Sequence, residues 1–381
     1  MKEVFDVIIL GAGASGMMCA STIKGKKVAV VDQAKNAAKK IMVTGNGRCN
    51  LGNNSISSKF YNRNIDSFLK QFSEIETAKF FSDLGLVTYV DDEGRIYPIS
   101  NSAKSVMDIL EYGARKASFF LGERIKNIKK EGTSFVVNLE TKIITSPKIV
   151  VATGGGSDEI LKMLKVPYKE FVPSLVSLKS KQTRDLNGTR VSNVLVKATN
   201  AFGKTRSEKG EVLFRENGLS GIVIFNLSTL YARSGRFEGK VEIDLLPDVS
   251  EKGLKEILQK RKSLESRLDK FFVGMFANSV ANEIFKQSKL NTNAPCATLK
   301  ENEILILAKT IKNMQFNVCG ALDNNQVFSG GVPLEDLDEN LMHKNLQGVY
   351  FVGEVCDVDG VCGGYNLQWA WTSGHIVGER L

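Results

Sequence analysis

The sequence predicts an α/β fold in which a parallel sheet is built from both ends of the chain and is interrupted by a β-rich and helical insertion. Residues 6–32 place an apolar run, a glycine-rich turn, a small-residue helix pattern and a second apolar run in succession. A further apolar run of this kind returns at residues 348–355. Between them, residues 170–246 are rich in Val, Ile, Leu, Phe and Thr, contain turn signals and lack helical periodicity.

The first unit reads DVIILGAGASGMMCASTIKGKKVAVVD, a complete strand–turn–helix–strand sequence that ends in an acid. In such a unit Gly11 permits the tight turn, Gly13 lets the backbone approach a pyrophosphate, and Gly16 lets the helix pack against the strands. The helix N-terminus offers N–H groups to phosphates, and Asp32 can accept hydrogen bonds from a ribose hydroxyl. A glycine motif alone is also an ordinary tight turn, but strand, helix, spacing and acid together predict a dinucleotide site. NAD and FAD both present an ADP half to such a turn.

Length and composition indicate a soluble globular protein of two or three domains. The chain has 381 residues, of which 43% are hydrophobic and 24% are charged. No apolar run approaches the ~20 residues of a membrane span, and the first residues lack a signal-peptide pattern, so we expect a cytoplasmic protein without membrane contact. The net charge is +9, but the basic residues are spread along the chain, which favours an evenly solvated surface over nucleic-acid binding.

The cysteine and histidine content argues against several kinds of chemistry. Six cysteines occur without a CxxC pair, so neither a zinc knuckle nor a dithiol motif is expected. Only two histidines are present, which argues against a histidine-rich metal site or a Ser–His–Asp triad, and we predict no metal. The difficult chemistry must therefore come from a bound cofactor.

The elements after the first unit are predicted to continue the cofactor domain. We expect a Gly/Asn-rich loop, a helix, a short loop or edge strand broken by Pro98, a second helix, three short antiparallel strands and an apolar strand, in the order 34–53, 65–84, 95–100, 102–116, 125–128, 134–139, 143–145 and 148–152. The apolar strand runs into residues 153–156, whose glycines allow close approach to a ligand.

The middle of the chain is predicted to be a small β-barrel or sandwich with a helical lobe. Turn-forming pairs at 187–188, 209–210 and 217–218 separate its strands. A charged helical stretch, a short helix, further strands, a late apolar strand and a terminal helix follow at 251–288, 301–309, 312–327, 348–355 and 367–379. The expected domains are the first part of the cofactor domain, the inserted β-barrel with a helical lobe near 251–300, and the second part of the cofactor domain, at 1–185, 186–334 and 335–381.

Three later segments favour FAD over NAD. The strand ending VVATGG returns to the mouth of the sheet, and Glu354, at the end of the late strand, can hold a ribityl or ribose hydroxyl. Residues 363–367 start the last helix, whose N–H groups can face a flavin ring and stabilise its reduced, anionic form. No second GxGxxG marks a separate NAD(P)H domain, and closure of an N-terminal dinucleotide unit by the C-terminus suits FAD.

The chain as a whole resembles the HI0933-like flavoproteins, which include NAD(P)/FAD-dependent oxidoreductases, aminoacetone oxidases and BaiN-type enzymes. The motifs that carry the resemblance are GAGASG, KKIMVTGNGRCN, GRIYPIS, VVATGG, GEVLFRENGLSG and GVYFVGEVCDVDGVCGGYNLQWAWTSG. The GRCN segment and the last motif are highly specific, whereas GAGASG and VVATGG are shared with many flavoproteins. Asn46 and Asp32 stand where relatives often have Gly and Glu; both keep the chemistry, because Asn tolerates positive φ and either acid binds ribose.

The resemblance implies FAD, a Rossmann-type domain closed by the C-terminal strand and helix, and an inserted β-barrel with a small helical domain. It places the 11–16 turn on the pyrophosphate, the 46–50 loop along the pyrophosphate and ribityl chain, and residues 363–367 at the isoalloxazine. The predicted cofactor-binding residues are Gly11, Gly13, Ala14, Ser15, Gly16, Asp32, Gln33, Lys40, Asn46, Gly47, Arg48, Cys49, Asn50, Ile125, Thr153, Gly154, Gly353, Glu354, Gly363, Gly364, Tyr365, Asn366 and Leu367.

Two residues of the GNGRCN loop have alternative interpretations. Arg48 is either a surface arginine or, as we favour here, a contact to a phosphate or a substrate anion, because its planar fork matches such oxygens. Cys49 is interpreted as a small buried residue in preference to a redox or covalent flavin group.

The last motif raises further alternatives. A disulfide or redox pair between Cys356 and Cys362 is disfavoured in the cytosol. The two carboxylates of the DVDG turn, Asp357 and Asp359, lack the spacing of a calcium loop and are interpreted as turn caps. Tyr365 could stack on the flavin or a substrate. The tryptophans of the last helix, at 369 and 371, fit core packing at least as well as ring stacking.

The function predicted from these observations is hydride transfer between bound FAD and a small organic substrate, with NADH or NADPH as a transient electron donor. Because open parallel sheets bind ligands beyond the carboxyl ends of their strands, residues 363–367 and the loop of Arg48 and Cys49 should wall the reactive face, with the insert covering it. Two alternatives stay open: a flavin-dependent protein that modifies or binds RNA or another nucleic acid, and a non-catalytic flavin-binding sensor. The sequence identifies neither a catalytic acid or base nor an oligomeric state.

Overall fold

The computed structural model describes residues 2–264, 267–322 and 327–381. Its strands are β1 Lys2–Val4, β2 Val7–Leu10, β3 Val28–Asp32, β4 Gly52–Asn53, β5 Thr88–Val90, β6 Arg95–Pro98, β7 Ser118–Leu121, β8 Ile125–Glu131, β9 Ser134–Leu139, β10 Ile143–Ser146, β11 Lys148–Val151, β12 Lys169–Ser174, β13 Leu178–Lys179, β14 Arg190–Asn200, β15 Thr205–Arg215, β16 Gly218–Ser220, β17 Gly239–Asp244, β18 Met314–Val318, β19 Val327–Gly331 and β20 Val349–Phe351. Its α-helices are α1 Ala14–Thr22, α2 Asp66–Leu69, α3 Glu74–Asp83, α4 Ala103–Gly113, α5 Asp158–Leu164, α6 Ile222–Ala232, α7 Glu251–Leu264, α8 Asn278–Ser288, α9 Glu301–Lys312 and α10 Tyr365–Arg380.

The chain divides into two compact units, each with its own hydrophobic core. Unit 1 comprises Met1–Val172 and Val327–Leu381, and unit 2 comprises Pro173–Gln326. None of the helices in the described ranges is long and apolar enough to cross a bilayer.

Unit 1 is built on a five-stranded parallel sheet with the order β20-β11-β2-β3-β7. Its central strands are short apolar runs, and every residue of β2 is buried. A strand covered on both faces needs such continuous apolar sequence, which is why these runs form the middle of the sheet. Leu10 pairs with Val31 and Val151, and Val151 pairs with Phe351, so the carboxyl ends of four strands meet at one edge. The predicted α/β, Rossmann-type fold is confirmed.

The first and last helices, α1 and α10, pack closely because small residues face each other. A Cβ on Gly378 would lie 2.6 Å from the Thr22 side chain, and one on Gly374 would clash with the Ser15 carbonyl. The C-terminal strand β20 joins the sheet that β2 and β3 begin, and helix α10 packs beside α1, as the sequence predicts.

Two smaller sheets complete unit 1. The predicted antiparallel strands β8, β9 and β10 form one of them, with β1 added in parallel beside β10. The other has the order β4-β6-β5, so the expectation of an edge strand at 95–100 is wrong. Ile96 pairs with Gly52 on one side and Val90 on the other, and Pro98, which lacks an N–H, stands at the last residue of β6, where it interrupts neither ladder.

The single helix expected at 65–84 is two helices, α2 and α3. Ser73 starts the second one through a capping box: its hydroxyl accepts from the Ile75 N–H, and its own N–H donates to Glu76 at 2.9 Å. The S-x-x-E pattern of residues 73–76 is typical of a helix N-terminus and could have shown that a new helix begins there.

Unit 2 contains a six-stranded sheet with the order β13-β16-β15-β14-β17-β18, antiparallel throughout its described strands. β13 also bonds to the segment after β18: the Lys179 N–H donates to Gly320 O at 2.8 Å, and the Leu322 N–H donates to Ser177 O at 2.8 Å. These bonds join the two ends of the sheet, which makes it a small barrel of the kind predicted. The described part of unit 2 therefore holds no second Rossmann sheet.

The sequence predicted no helix in residues 170–246, and this prediction is wrong, because α6 lies in that range. Its sequence, IVIFNLSTLYA, is mostly apolar, and eight of its eleven residues are buried, including the polar residues Asn226, Ser228 and Thr229. A helix buried on every side shows no amphipathic period, so its pattern cannot be distinguished from that of a buried strand. The predicted helical lobe after residue 251 consists of α7, α8 and α9.

The limits of unit 2 differ from the 186–334 expected for the insert. The unit starts earlier because β13 belongs to the barrel. It ends earlier because β19 pairs with β12, the strand by which the chain leaves unit 1.

Candidate functional site

The glycine-rich turn after β2 has the geometry that its sequence requires. Gly11 has φ +109°, and a Cβ there would clash with the Ala152 carbonyl; a Cβ on Gly16 would clash with the Gly11 carbonyl. Gly13 differs from both, because the nearest atom to its hypothetical Cβ, Ala152 O, is 4.0 Å away. Gly11 and Gly16 are therefore required by the packing of the chain itself, whereas Gly13 faces open space at the helix N-terminus.

Asp32, the last residue of β3, stabilises this turn through hydrogen bonds. Its Oδ2 accepts from the Ala12 N–H at 2.7 Å, and its Oδ1 accepts from the Ala34 N–H at 2.8 Å. Each carboxylate oxygen has a second acceptor direction, so the group can also accept from a ribose hydroxyl. Gln33 is exposed next to it. Half-buried Ile125 begins β8, shortly after a backbone bond from the Glu123 N–H to Asp32 O at 3.1 Å brings the chain back to this edge.

A loop from residue 38 to residue 52 joins the turn to the C-terminal segments. At its start, the Ala38 N–H donates to Ala12 O at 2.7 Å. Within the loop, Lys40 Nζ lies 3.4 Å from Glu354 Oε2. At its end, the Asn50 amide, oriented to satisfy its neighbours, donates to Gly52 O at 2.8 Å and accepts from the Gly364 N–H at 3.2 Å. One loop thus touches the three chain segments predicted to surround the cofactor.

The interior of this loop is a 3-10 helix, Lys39–Gly47, with a kink in the GNG sequence. Gly45, Asn46 and Gly47 have φ of 54°, 56° and 81°, so the left-handed conformation predicted to be tolerable for Asn46 is the one it adopts. Cys49 also has a positive φ, of 60°. The sharp reversal exposes Asn46 and Gly47 and leaves Arg48 half-buried.

Glu354 contacts three other segments of unit 1, at Phe328, Gly155 and Lys40. Its Oε1 accepts from the Phe328 N–H at 2.7 Å, and its Oε2 accepts from the Gly155 N–H at 3.0 Å and faces Lys40. Phe328 also packs against Gly155, where a Cβ would lie 2.5 Å from the phenyl ring. The sequence predicted a hydroxyl-binding role for this acid, and the structure adds a bridging role. Phe328 itself was missed, because nothing in its local sequence marks it.

The neighbouring small residues are positioned by short contacts. Thr153 donates to Ser157 Oγ at 2.7 Å, and Gly154 has φ +75°. Ser15, in the first turn of α1 after Ala14, donates to Val352 O at 3.3 Å. A Cβ on Gly353 would lie 2.5 Å from that serine hydroxyl, which fixes the spacing between α1 and the end of β20.

The turn before α10 is held from several sides. Gly364 has φ +98°, and a Cβ there would lie 2.5 Å from the Gly52 backbone. Asn366 clamps the turn by donating to Gly360 O at 2.9 Å and accepting from the Gly360 N–H at 2.8 Å. Further along α10, Trp369 Nε1 donates to Gly353 O at 3.0 Å. Gly363, with φ +129°, and half-buried Leu367 complete the predicted turn.

The aromatic residues of this region pack within the protein. The Tyr365 ring stacks on Phe60 at 4.5 Å and lies edge-on to Tyr61, and burial raises the pKa of Tyr365. Trp369 and Trp371 are 1% and 0% exposed, so the core-packing interpretation of the two tryptophans is confirmed.

Asp357 behaves differently from the turn cap that its sequence suggested. Its carboxylate is buried and accepts from Arg63, from Lys169 at 2.6 Å and from the Asn62 amide at 3.3 Å. The two cations come from distant parts of the chain, which is why no local pattern could show the cluster. It anchors the DVDG segment, a few residues before the turn that precedes α10.

The cysteines near the site are buried thiols. Cys49 is 0% exposed, and burial raises its pKa to about 12, against the effect of a hydrogen bond with Thr44. Burial likewise raises the pKa of Cys356. A thiol in this state is neither a nucleophile nor a ready redox partner, which supports the interpretation of Cys49 as a small buried residue.

Native protein treated with a thiol-specific reagent at pH 8 should react at Cys319 and spare Cys49. Cys319 is exposed, whereas a thiol with a pKa near 12 holds on the order of one part in 10,000 as thiolate at this pH. Peptide mapping of the labelled sites measures both reactions in one sample, with urea-unfolded protein as the reference for full labelling. Equal rates at the two cysteines in native protein would contradict the burial of Cys49.

The residues at this edge fit FAD. Both α1 and α10 begin at a glycine without a side-chain cap, and neither has an acidic residue in its first turn. Their N–H groups and partial positive charges are therefore available to an anionic ligand. The open space at Gly13 is a cradle that even one Cβ would begin to fill. A pyrophosphate and the reduced flavin ring are anions of the size and chemistry that two such helix ends bind.

A glycine-rich turn, an acid on the neighbouring strand and a second uncapped helix lie together at the carboxyl edge of the parallel sheet, which is the arrangement of a dinucleotide-binding protein. The family and the relatives described next identify the chain as an FAD-dependent oxidoreductase. The chain belongs to the HI0933-like family, since the HI0933-like protein Rossmann domain matches residues 5–380.

Two full-length relatives support the assignment. The chain is 32% identical to the 3-dehydro-bile acid delta(4,6)-reductase of Clostridium scindens, covering 97% of both chains. It is 29% identical to the ribosomal RNA dihydrouridine synthase of Escherichia coli, covering 100% of this chain and 98% of that one. Among solved structures, it is similar to 3-ketosteroid delta1-dehydrogenase of Sterolibacterium denitrificans, with 12% identity, a TM-score of 0.48, and 100% and 99% coverage of the two chains.

Purified protein should be yellow and should release FAD, not FMN, when it is heated. The turn at residues 11–16 and Asp32 are placed to bind a pyrophosphate and an adenosine ribose, which FMN lacks. Chromatography of the heat supernatant against both standards distinguishes the two flavins. Release of FMN alone would contradict the assignment of the edge to an ADP-containing cofactor.

Proposed function

We propose that the protein reduces a carbon–carbon double bond conjugated to a carbonyl group in a small organic substrate. The observation that carries the proposal is the full-length similarity to two enzymes whose names imply this reaction. A delta(4,6)-reductase of a 3-dehydro steroid saturates a double bond conjugated to a ketone. A dihydrouridine synthase saturates the uracil double bond next to a carbonyl. The two substrates differ greatly in size, and this bond is what they share.

The residues of the edge would bind and orient the cofactor for this reaction. The 11–16 turn and α1 would hold the pyrophosphate, Asp32 would hold the adenosine ribose, and the 38–52 loop would contact the ribityl chain. The N-terminus of α10 would lie near the ring, where its partial positive charge would favour the reduced anion. Bound FAD supplies the hydride transfer. Oxidised FAD must first be reduced, and we propose NADH or NADPH as the transient donor.

Anaerobic half-reactions test this function. Flavin bleaching near 450 nm is followed after addition of NADH or NADPH, and reoxidation is then followed with 2-cyclohexenone, a Δ4-3-ketosteroid and uridine. Saturated analogues of each acceptor serve as controls that share shape and carbonyl but lack the double bond. We expect reoxidation by at least one unsaturated compound and by none of the saturated ones. Reoxidation by none of the acceptors, with oxygen still effective, would contradict the proposal.

A second candidate substrate is RNA. The similarity to a ribosomal RNA dihydrouridine synthase favours it, and the net charge of +9 is compatible with a polyanion. Titration of the holoprotein with a ribosomal RNA fragment at several salt concentrations measures its affinity for RNA and the salt dependence of that affinity. A steep fall in affinity with salt, with reoxidation of the reduced flavin by RNA but not by free uridine, would assign the substrate to RNA.

A further inference from the structure

Arg48 is a half-buried cation without an acidic partner. In the part of the chain that the structure describes, no carboxylate lies within 4.0 Å of its guanidinium. Its Nε donates to Gly45 O at 3.3 Å, which uses one of its five N–H groups. The neighbouring Arg95 is different, since it pairs with Asp91 at 2.8 Å and Glu93 at 2.9 Å. A guanidinium that is kept partly out of water and is not neutralised is suited to an anion from outside the chain.

Tyr97 holds this guanidinium by stacking. The Arg48 guanidinium carbon lies 4.4 Å from the centre of the Tyr97 ring, well within cation–π range. The hydrogen bond from Arg48 Nη2 to the Tyr97 hydroxyl is long, at 3.5 Å, so the ring contributes more than the hydroxyl. Tyr97 is itself 2% exposed and stacks on Tyr89 at 5.9 Å, which fixes the plane on which the guanidinium rests.

The loop that carries Arg48 contacts the cofactor-binding segments. A Cβ on Gly45 would lie 2.9 Å from the Asn50 backbone nitrogen and 3.2 Å from the Tyr97 ring, so the loop and the tyrosine are packed tightly. Asn50, two residues after the arginine, bridges to Gly364 at the start of α10. The arginine is therefore tied through the loop to the turn where the flavin is expected.

We infer that Arg48 and Tyr97 form an anion-binding pair at this site, in which Arg48 contacts an anionic oxygen and Tyr97 is the residue that positions it. The inference rests on the proposed cofactor site. The oxygen belongs either to the pyrophosphate of FAD or to an anionic group of the substrate. The GRIYPIS segment, which has no role among the predicted cofactor-binding residues, supplies Tyr97, on which the Arg48 guanidinium stacks.

Four variants test the pair: Arg48→Ala, Tyr97→Phe, Tyr97→Leu and the double variant of Arg48→Ala with Tyr97→Leu. Arg115→Ala is the matched control, because Arg115 also stacks on a tyrosine, Tyr112, at 4.1 Å, but on an exposed helix end. The first measurement is the FAD dissociation constant of apoprotein. The second is the change in the flavin spectrum of holoprotein on titration with inorganic phosphate.

Arg48→Ala should weaken FAD or phosphate binding about ten- to a hundredfold, the usual effect of losing one charge-assisted hydrogen bond. Loss in the FAD titration assigns the oxygen to the cofactor, and loss in the phosphate titration alone assigns it to the substrate side. Tyr97→Phe should stay within about threefold of wild type because the ring remains. Tyr97→Leu should approach Arg48→Ala, and the double variant should be no weaker than Arg48→Ala alone, because the tyrosine acts through the arginine.

Three results would overturn the inference. Arg48→Ala could match Arg115→Ala in both titrations, which would make Arg48 an ordinary surface residue. Tyr97→Leu could weaken binding just as much in the Arg48→Ala background, which would make Tyr97 merely structural. Tyr97→Phe could lose as much as Tyr97→Leu, which would contradict the stacking. Failure of the proposed function itself appears separately, as failure of wild type and of the Arg115→Ala control to be reduced and reoxidised.

Discussion

Replacing Gly13 with valine should abolish FAD binding and leave the fold intact. Gly13 has φ −78° and ψ −170°, an extended conformation that valine adopts without strain, and its hypothetical Cβ has no atom closer than 4.0 Å. The side chain would instead fill the space that a pyrophosphate must occupy at the start of α1. We expect FAD affinity to fall at least 100-fold, or about 2.7 kcal/mol, measured by titration of apoprotein.

Gly253→Val is a suitable control for this change. Gly253 lies in α7 of unit 2, and its Cβ would meet only side-chain atoms, at 3.3 Å and beyond. That variant should keep stoichiometric FAD and a similar circular dichroism spectrum. Stoichiometric FAD in the Gly13→Val protein would refute the role of Gly13 and with it the position of the pyrophosphate.

Replacing Gly364 with alanine should destabilise the protein as well as weaken FAD binding. The residue has φ +98°, where an L-residue is strained by about 1–3 kcal/mol, and its Cβ would lie 2.5 Å from the Gly52 backbone. The clash falls on backbone atoms that cannot rotate away, so the 38–52 loop and α10 must separate. Relief of such overpacking typically costs a further ~1–3 kcal/mol. Thermal unfolding of apoprotein and of holoprotein measures both effects.

Gly25→Ala separates strain from clash. Gly25 also has a positive φ, of +69°, but nothing lies within 4 Å of its hypothetical Cβ. It should lose only the strain contribution, and its FAD affinity should match wild type. A Gly364→Ala protein no less stable than Gly25→Ala would show that the Gly52 contact does not hold loop and helix together.

The sequence predicted the elements whose signal is local. Four of the five strands of the parallel sheet, β2, β3, β11 and β20, appeared as apolar runs because they are largely buried, whereas the partly exposed edge strand β7 was missed. The glycine turn was identified because Gly11 and Gly16 have no steric alternative. The left-handed Asn46 followed from its place in the GNG sequence. In each case one short stretch of chain contains the whole physical reason.

The features that were missed depend on distant partners. Helix α6 lacks an amphipathic period because most of its residues, polar ones included, are buried. Glu354 bridges to Phe328, and Asp357 binds Arg63 and Lys169, so the roles of these acids are set by residues far away in the chain. Pairings of this kind contribute no periodicity and no spacing rule, and only the folded structure shows them.

The division of unit 1 into two stretches of sequence has a consequence for biosynthesis. Pro173–Gln326 is one continuous segment, so its barrel can fold as soon as it has left the ribosome. The parallel sheet must wait for β20, and α1 must wait for α10, its packing partner. We therefore expect the N-terminal stretch to emerge first and to complete its packing last. We expect cofactor binding to be a late step of assembly, because β20 and α10 form only after residues 349–380 have left the ribosome.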